Sequence, residues 1–262
     1  MNQELNTDSM MTSKTYSLEE IKQIAPSVFT TEKLSTLTDK YVHAPTSKVI
    51  EDMMELGWVV TKCQEIKARK NKGFQKHVIV LRNPDIMIKG KEGDDAFPQV
   101  ILTNSHDGKN AFNFRVGIYR LVCSNGLVVA DSEFGNTSIR HINYTFENLR
   151  EKMNELISKL PGLVQKINLF KSIKLTDEQM IEFANKAATL RTKQRVNALE
   201  LLEATRSQDQ GNDLWRTYNR IQEKILGGSY TAGKRKARSV KSFQKDIEIN
   251  EQLWELAESY VG

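Results

Sequence analysis

Residues 111–123 read AFNFRVGIYRLVC, and the reading of this stretch decides the fold class. Phe112, Phe114, Val116 and Ile118 fall on one side of an extended chain, and Asn113, Arg115, Gly117 and Tyr119 on the other, because successive side chains of a strand point to opposite faces. Both flanks are turn signals. His106-Asp107-Gly108-Lys109 carries Asp-Gly and Ser124-Asn125-Gly126 carries Asn-Gly, pairs that accept the positive φ of tight hairpins. A strand over residues 99–105 on one side and a short apolar run over 127–131 on the other then give an antiparallel meander.

Upstream, WVVTKCQEI (58–66) and FQKHVIVLR (74–82) flank ARKNKG, where Asn71 and Gly73 supply positive φ, so these two segments pair as a hairpin with a basic tip. Before them, Val49, Ile50, Met53, Met54 and Leu56 recur at helical spacing behind a cap at Thr46 or Ser47, and Gly57 ends that helix. Downstream of Thr145 the period is helical throughout. Phe146, Leu149, Met153, Leu156, Ile157 and Leu160 form a stripe, with Pro161-Gly162 as its stop. Thr176 and Gln179 make a capping box, a helix spans about 196–204, and Asn212 or Asp213 opens a helix that Gly227-Gly228 ends. The last helix spans about 246–260. The fold class expected is α+β, an antiparallel meander core packed by helices with a helical C-terminal half. The division expected is a mobile arm over 1–40, the α+β core over 41–175, and a helical region over 176–262 with a basic linker at 228–245.

Of the 262 residues, 39% are hydrophobic and 27% charged, which suits a globular chain with a real core. Residues 1–14 have neither a basic leader nor an apolar stretch, so no signal peptide is expected. The longest uncharged apolar runs, at 78–81 and 127–130, are far below the ~18 residues of a membrane span. A cytoplasmic location follows as the expectation. Cys63 and Cys123, far apart in apolar segments, read as buried thiols rather than a disulfide framework or a zinc site.

Charge is unevenly spread. Residues 61–91 carry nine Lys/Arg against Glu65 and Asp85, while residues 1–60 carry five against nine Asp/Glu. Lys234, Arg235, Lys236, Arg238, Lys241 and Lys245 form a second block with no acid between Gly227 and Lys245. Such asymmetry suits a polyanionic partner. The candidate nucleic-acid contacts are Lys67, Arg69, Lys70, Lys72 and Lys76 on the first hairpin, Arg115, Tyr119 and Arg120 on the central strand, and Lys234, Arg235, Lys236 and Arg238 in the linker. Cations track phosphates, and a tyrosine face stacks a base.

Catalytic signatures are missing by the same reading. His43, His77, His106 and His141 have no metal-ligand spacing, so neither a metal nor another cofactor is expected. Ser105-His106-Asp107 sits in a turn, whereas triad members meet from separated positions. GGSYTAGKRK lacks the GxxxxGK[ST] of a phosphate loop and a strand before it.

APTSKVIEDMMELGW (44–58), NSHDGKNAFNFRVGIYRLVCSNGLVV (104–129), the FG and RH of DSEFGNTSIRH (131–141) and NDLWRTYNRIQEKILGG (212–228) resemble the signatures of a phage and plasmid-like family classed as a domain of unknown function, number 932. The resemblance runs from about Tyr41 to the C-terminus and implies a mobile-element context in a bacterial host cell. It brings no catalytic residues. The order helix, meander, helices is also similar to the core of Rad52-like single-strand annealing proteins and phage recombinases, a likeness of fold alone.

Three functions are then in play. The leading expectation is a mobile-element protein that binds single-stranded DNA, an ATP-independent annealing or recombination protein acting as a homo-oligomer. The alternative is an interaction protein that inhibits or evades a host defence system, with Trp215 and Trp254 helices exposed to a host partner. The third is an enzyme whose site is built from Asn104, His106, Asp107, Arg120 and Asn125.

Overall fold

The computed structural model describes residues 14–37, 43, 45–87, 96–108, 112–120, 126–128, 136–139 and 145–261. Its elements are the helices α1 (Leu18–Ile24), α2 (Thr46–Glu55), α3 (Phe146–Ser172), α4 (Asp177–Thr189), α5 (Ala198–Leu202), α6 (Leu214–Gly227) and α7 (Phe243–Glu258). The strands are β1 (Val59–Glu65), β2 (His77–Arg82), β3 (Ala96–Asn104), β4 (Phe112–Arg120), β5 (Gly126–Val128), β6 (Asn136–Ile139), β7 (Thr231–Ala232) and β8 (Arg235–Lys236). The chain is thus mixed α+β, as the sequence predicts. It divides into two units. The first holds α1, α2, β1–β4, β6 and α3 up to Leu156; the second holds β5 and the chain from Ile157 onward.

In the first unit, β1, β2, β3 and β4 pair antiparallel in sequence order and β6 returns to β4. The register sets Phe114 opposite Leu102, Val116 opposite Val100 and Ile118 opposite Pro98. The apolar alternation of the quoted stretch therefore continues across the ladder, and Phe114, Val116 and Ile118 are buried. Burial goes further than the alternation implies: every residue of β2 and β3 is buried, so both faces of these middle strands are covered. Pro98 lies beyond the last β2 partner, Gln99, where a missing N–H is tolerated. The β1–β2 tip turns through Asn71 at φ 53° and Gly73 at φ 91°, as predicted.

Helix α2 begins one residue ahead of expectation, with Pro45 at its cap position, and seats Val49, Ile50 and Met53 in the core. Gly57 at φ 85° lets the chain reverse, and the Gly57 and Trp58 N–H groups bond back to Met54 and Met53. Of the arm expected over 1–40, residues 14–30 hold the short helix α1 and a turn of 3-10 helix at Pro26–Phe29. Ser17 and Glu20 form a capping box on α1, and Ile21, Ala25 and Val28, spaced four and three apart, are fully buried. The Tyr16 N–H bonds to the Val60 carbonyl at 2.9 Å, which ties the segment to the sheet.

The second unit is built on aromatic packing. The Phe170 and Trp254 rings lie 5.1 Å apart, and Tyr218 meets Trp254 edge-on at 6.1 Å. Helix α3 does not stop at Pro161-Gly162 but continues to Ser172. Beyond the proline it places Leu163, Ile167 and Phe170 in the core, and that burial offsets the roughly 3 kcal/mol an interior proline takes from a helix. The Thr176–Gln179 capping box forms as expected. Asp213 caps α6, and Gly228 ends it at φ 79°. Among the described residues no helix is long and apolar enough to cross a membrane.

Candidate nucleic-acid interface

The stretch 228–245, read from the sequence as a linker, holds a β-hairpin. Thr231 pairs with Lys236 and Ala232 with Arg235, leaving Gly233-Lys234 as a two-residue loop. Gly233 has φ +60° and Lys234 is not in the left-handed region, which is the II′ arrangement with glycine first. The hairpin is anchored on several sides. Val196 bridges Ala232, the Gly233 N–H bonds to the Arg195 carbonyl at 2.9 Å, and the Ala237 N–H to the Tyr230 carbonyl at 2.9 Å. The Thr231 N–H donates to the Glu200 carboxylate at 2.7 Å. The Arg191 guanidinium, between α4 and α5, donates to the carbonyls of Ile225 and Arg238. Gly228 is squeezed in the same place: an added Cβ would lie 2.2 Å from the Arg238 carbonyl carbon.

Anchored this way, Lys234, Arg235, Lys236 and Arg238 are all exposed. The α4–α5 connection and the hairpin together bound a cleft of about 1050 Å³, into which Lys193, Arg195 and Lys234 bring three cations against the one carboxylate of Glu200. Sequence reasoning passed over Lys193 and Arg195, which sit in a short run, TKQR, without the density of a charge block. Only the strand-like pairing of 196 with 232 brings that run beside the hairpin.

In the first unit, Lys67, Arg69, Lys70 and Lys72 are exposed on the β1–β2 tip. Lys76 is half-buried, and burial, with the nearby Arg115 charge, lowers its pKa. Arg115 is half-buried and its Nη1 lies 3.5 Å from the Thr103 hydroxyl. Tyr119 has one ring face occupied by the Arg82 guanidinium, 5.1 Å from the ring centroid. Arg120 is only 2% exposed, which withdraws it from any surface that tracks a strand.

The feature the sequence did not reveal is a closed histidine network. His77 stands opposite Asn104 in the β2–β3 register, and Thr46 at the start of α2 reaches both. The Thr46 hydroxyl lies 2.8 Å from His77 Nε2, 3.4 Å from His106 Nε2 and 2.9 Å from Asn104 Nδ2. His77 Nδ1 lies 3.0 Å from the Ser27 hydroxyl and 3.3 Å from the Gln75 carbonyl. A carbonyl only accepts, so the partners assign the His77 proton to Nδ1 and leave Nε2 to accept from Thr46. The His43 ring lies 4.5 Å from that of His106, and its Nε2 donates to the Thr30 carbonyl at 2.7 Å. Burial pushes the His77 pKa down to about 4, against a smaller opposing effect of the Gln75 carbonyl.

This network is unsuited to chemistry. Ser27, Thr46, His77, Asn104, Ser105 and His106 are each 0% exposed, and a His77 that donates from Nδ1 cannot take the Ser27 proton. Among the described residues no group of three His, Cys, Asp or Glu is placed to hold a metal ion. Ser105 donates to Asp107 at 2.6 Å, a local turn contact, as the sequence argument against a triad implies. Of the residues considered for an enzyme site, Asn104 and His106 both approach the Thr46 hydroxyl, Asp107 is held by Ser105 in the turn, Arg120 is buried, and Asn125 lies outside the described residues, as do Cys123 and His141. Cys63 is half-buried, and its thiol is pushed up to about 11, chiefly by burial. The exposed tryptophan surfaces expected on the C-terminal helices do not form: Trp215 is 2% and Trp254 0% exposed, because both rings fill the core of the second unit.

The α6 signature is likewise structural. Asn219 donates to the Trp215 carbonyl at 2.6 Å and Gln222 to Asn250 Oδ1 at 2.9 Å, so the polar letters of LWRTYNRIQE tie the helix to itself and to α7.

Two relatives from Escherichia coli (strain K12), the UPF0380 proteins YfjQ and YafZ, are each 30% identical over 251 residues, covering 92% of this chain and 90% of theirs. No solved structure matches. The family described as Domain of unknown function (DUF932) matches residues 33–254, more than half of the chain, and the protein belongs to that family.

Proposed function

We propose that the protein binds single-stranded DNA through the hairpin and cleft of its second unit, as a mobile-element protein of annealing or recombination acting without ATP and as a homo-oligomer. The observation that carries this reading is the anchored β7–β8 hairpin: four exposed cations on one hydrogen-bonded turn, beside a cleft that adds Lys193 and Arg195. A flexible basic linker would have to be ordered on binding, whereas cations on an anchored hairpin are already in place. The exposed tip cations Lys67, Arg69, Lys70 and Lys72 offer further phosphate contacts. The reading needs no catalytic group. The alternative of a host-defence antagonist loses the tryptophan surface that favoured it.

The test is a titration against single- and double-stranded DNA and RNA at two or more salt concentrations, with mass measurement of the complex. Each phosphate neutralised on a single strand contributes about −0.7 to the slope of log affinity against log salt. Replacing Lys234, Arg235, Lys236 and Arg238 together by Ala should flatten that slope by about 3 and weaken all sequences alike. Absence of affinity for any nucleic acid at low salt would overturn the proposal.

A further inference from the structure

The composition of the cleft wall separates two ways of holding a strand. Proteins that bind single strands commonly stack bases on aromatic side chains, a contribution of about tenfold or more in affinity per base. Among the described residues, the cleft between the α4–α5 connection and the β7–β8 hairpin has none: those lining it are the cations Lys193, Arg195 and Lys234, the hydroxyl residues Thr189, Thr192 and Thr231, amide side chains, the Glu200 carboxylate and short aliphatic ones. Tyr230, the nearest aromatic residue in sequence, is 2% exposed and turned into the unit.

The polar groups suit oxyanions. Thr192 accepts from the Gln194 N–H at 3.1 Å, which leaves its hydroxyl hydrogen for an acceptor. The one carboxylate of the wall, Glu200, is engaged by the Thr231 N–H. The Gly233 N–H bonds to the Arg195 carbonyl and Val196 bridges Ala232, so the backbone that carries Lys193 and Arg195 and the backbone that carries Lys234 are held side by side. A wall of cations on an anchored backbone, with the Thr192 hydroxyl as a donor, matches phosphate oxygens and, among the described residues, sets no aromatic ring against a base.

We infer that the cleft recognises the sugar-phosphate backbone alone, so that the strand it holds is read as a chain of phosphodiesters with its bases directed away. This rests on the reading of the protein as a single-strand binder and specifies how that binding works. The strand's bases then stay free to pair while bound.

The experiment compares an oligothymidylate with an abasic oligonucleotide of the same length, by fluorescence anisotropy, for the wild type and for the variant Lys193→Ala/Arg195→Ala/Lys234→Ala. Backbone recognition gives affinities within about threefold of one another for the two ligands, since stacking on even one aromatic ring would separate them by about tenfold. The triple variant should weaken both by the same factor and flatten the salt slope by about 2. All three side chains are exposed, and thermal melting checks that the variant is folded. If it is not, Lys234→Gln alone should flatten the slope by about 0.7 for both ligands. An abasic strand bound more than tenfold more weakly than the oligothymidylate overturns the inference while leaving DNA binding intact, and so does a folded variant that binds both ligands unchanged. Failure of the wild type to bind either ligand overturns both readings.

Discussion

Acidification should loosen the first unit through His77. Its imidazole is fully buried, and its pKa falls from 6.5 to about 4 because burial penalises the charged ring. The unfolded chain therefore takes up a proton before the folded one does. Stability from this group is complete above the unfolded value, declines as pH falls through the window between 6.5 and about 4, and is flat below it. At about 1.4 kcal/mol for each tenfold, the full loss is about 3 kcal/mol, and about 2 kcal/mol is gone by about pH 5. Other groups titrate in the same range, so the measurement is a difference. Urea unfolding followed by tryptophan fluorescence, at about pH 7.5 and about pH 5.0, is compared between the wild type and His77→Gln. The amide cannot take the proton, so the wild type should lose about 2 kcal/mol more than the variant on acidification. Parallel pH dependence of the two proteins would refute the argument, because burial of the His77 ring would then have no energetic weight.

Three further outcomes are expected. Phe114→Ala, at a side chain 1% exposed, should destabilise the first unit by about 3 to 5 kcal/mol, read as a lower urea midpoint. Gly228→Ala places a side chain at φ +79° against the Arg238 backbone; the left-handed conformation alone takes about 1 to 2 kcal/mol, and displacement of the hairpin should weaken DNA binding with it. In a Cys123→Ser background, Cys63, with its thiol near 11, should alkylate about 100-fold more slowly than an ordinary free thiol at about pH 8, and a rate equal to that of the urea-unfolded protein would contradict its burial.

Much of the fold was legible because the physics is local. The alternation of residues 112–118, the positive φ of Asn71 and Gly73, the Thr176–Gln179 box and the Asp213 cap each depend on neighbours a few residues away. Elements decided by tertiary packing were misread. Pro161-Gly162 is a stop signal that the buried Leu163, Ile167 and Phe170 overrule. The polar run 14–30 hides a three-residue apolar stripe at Ile21, Ala25 and Val28 that matters only where a sheet stands ready to receive it. In β6, NTSI has no alternation to read, since the strand exists by pairing with β4. At the candidate site, the charge block 234–238 was visible but not its hairpin: Gly-Lys can form a II′ loop, but the flanking Ala232, Arg235 and Lys236 carry no strand signal. The meeting of the histidines was not legible, because residues 43, 77 and 106 come together only through a β2–β3 register, a ring contact and the placement of one threonine.

That histidine network also keeps time. The His77 Nδ1 proton is shut behind Ser27 and the Gln75 carbonyl, and with the ring 0% exposed water reaches it only when the structure opens around it. Its exchange with solvent therefore reports how often the surroundings of His77 open, whether locally or by global unfolding. A single ring resonance in a proton spectrum, shifted downfield by its hydrogen bonds and silent toward solvent saturation while the site is closed, would report that opening.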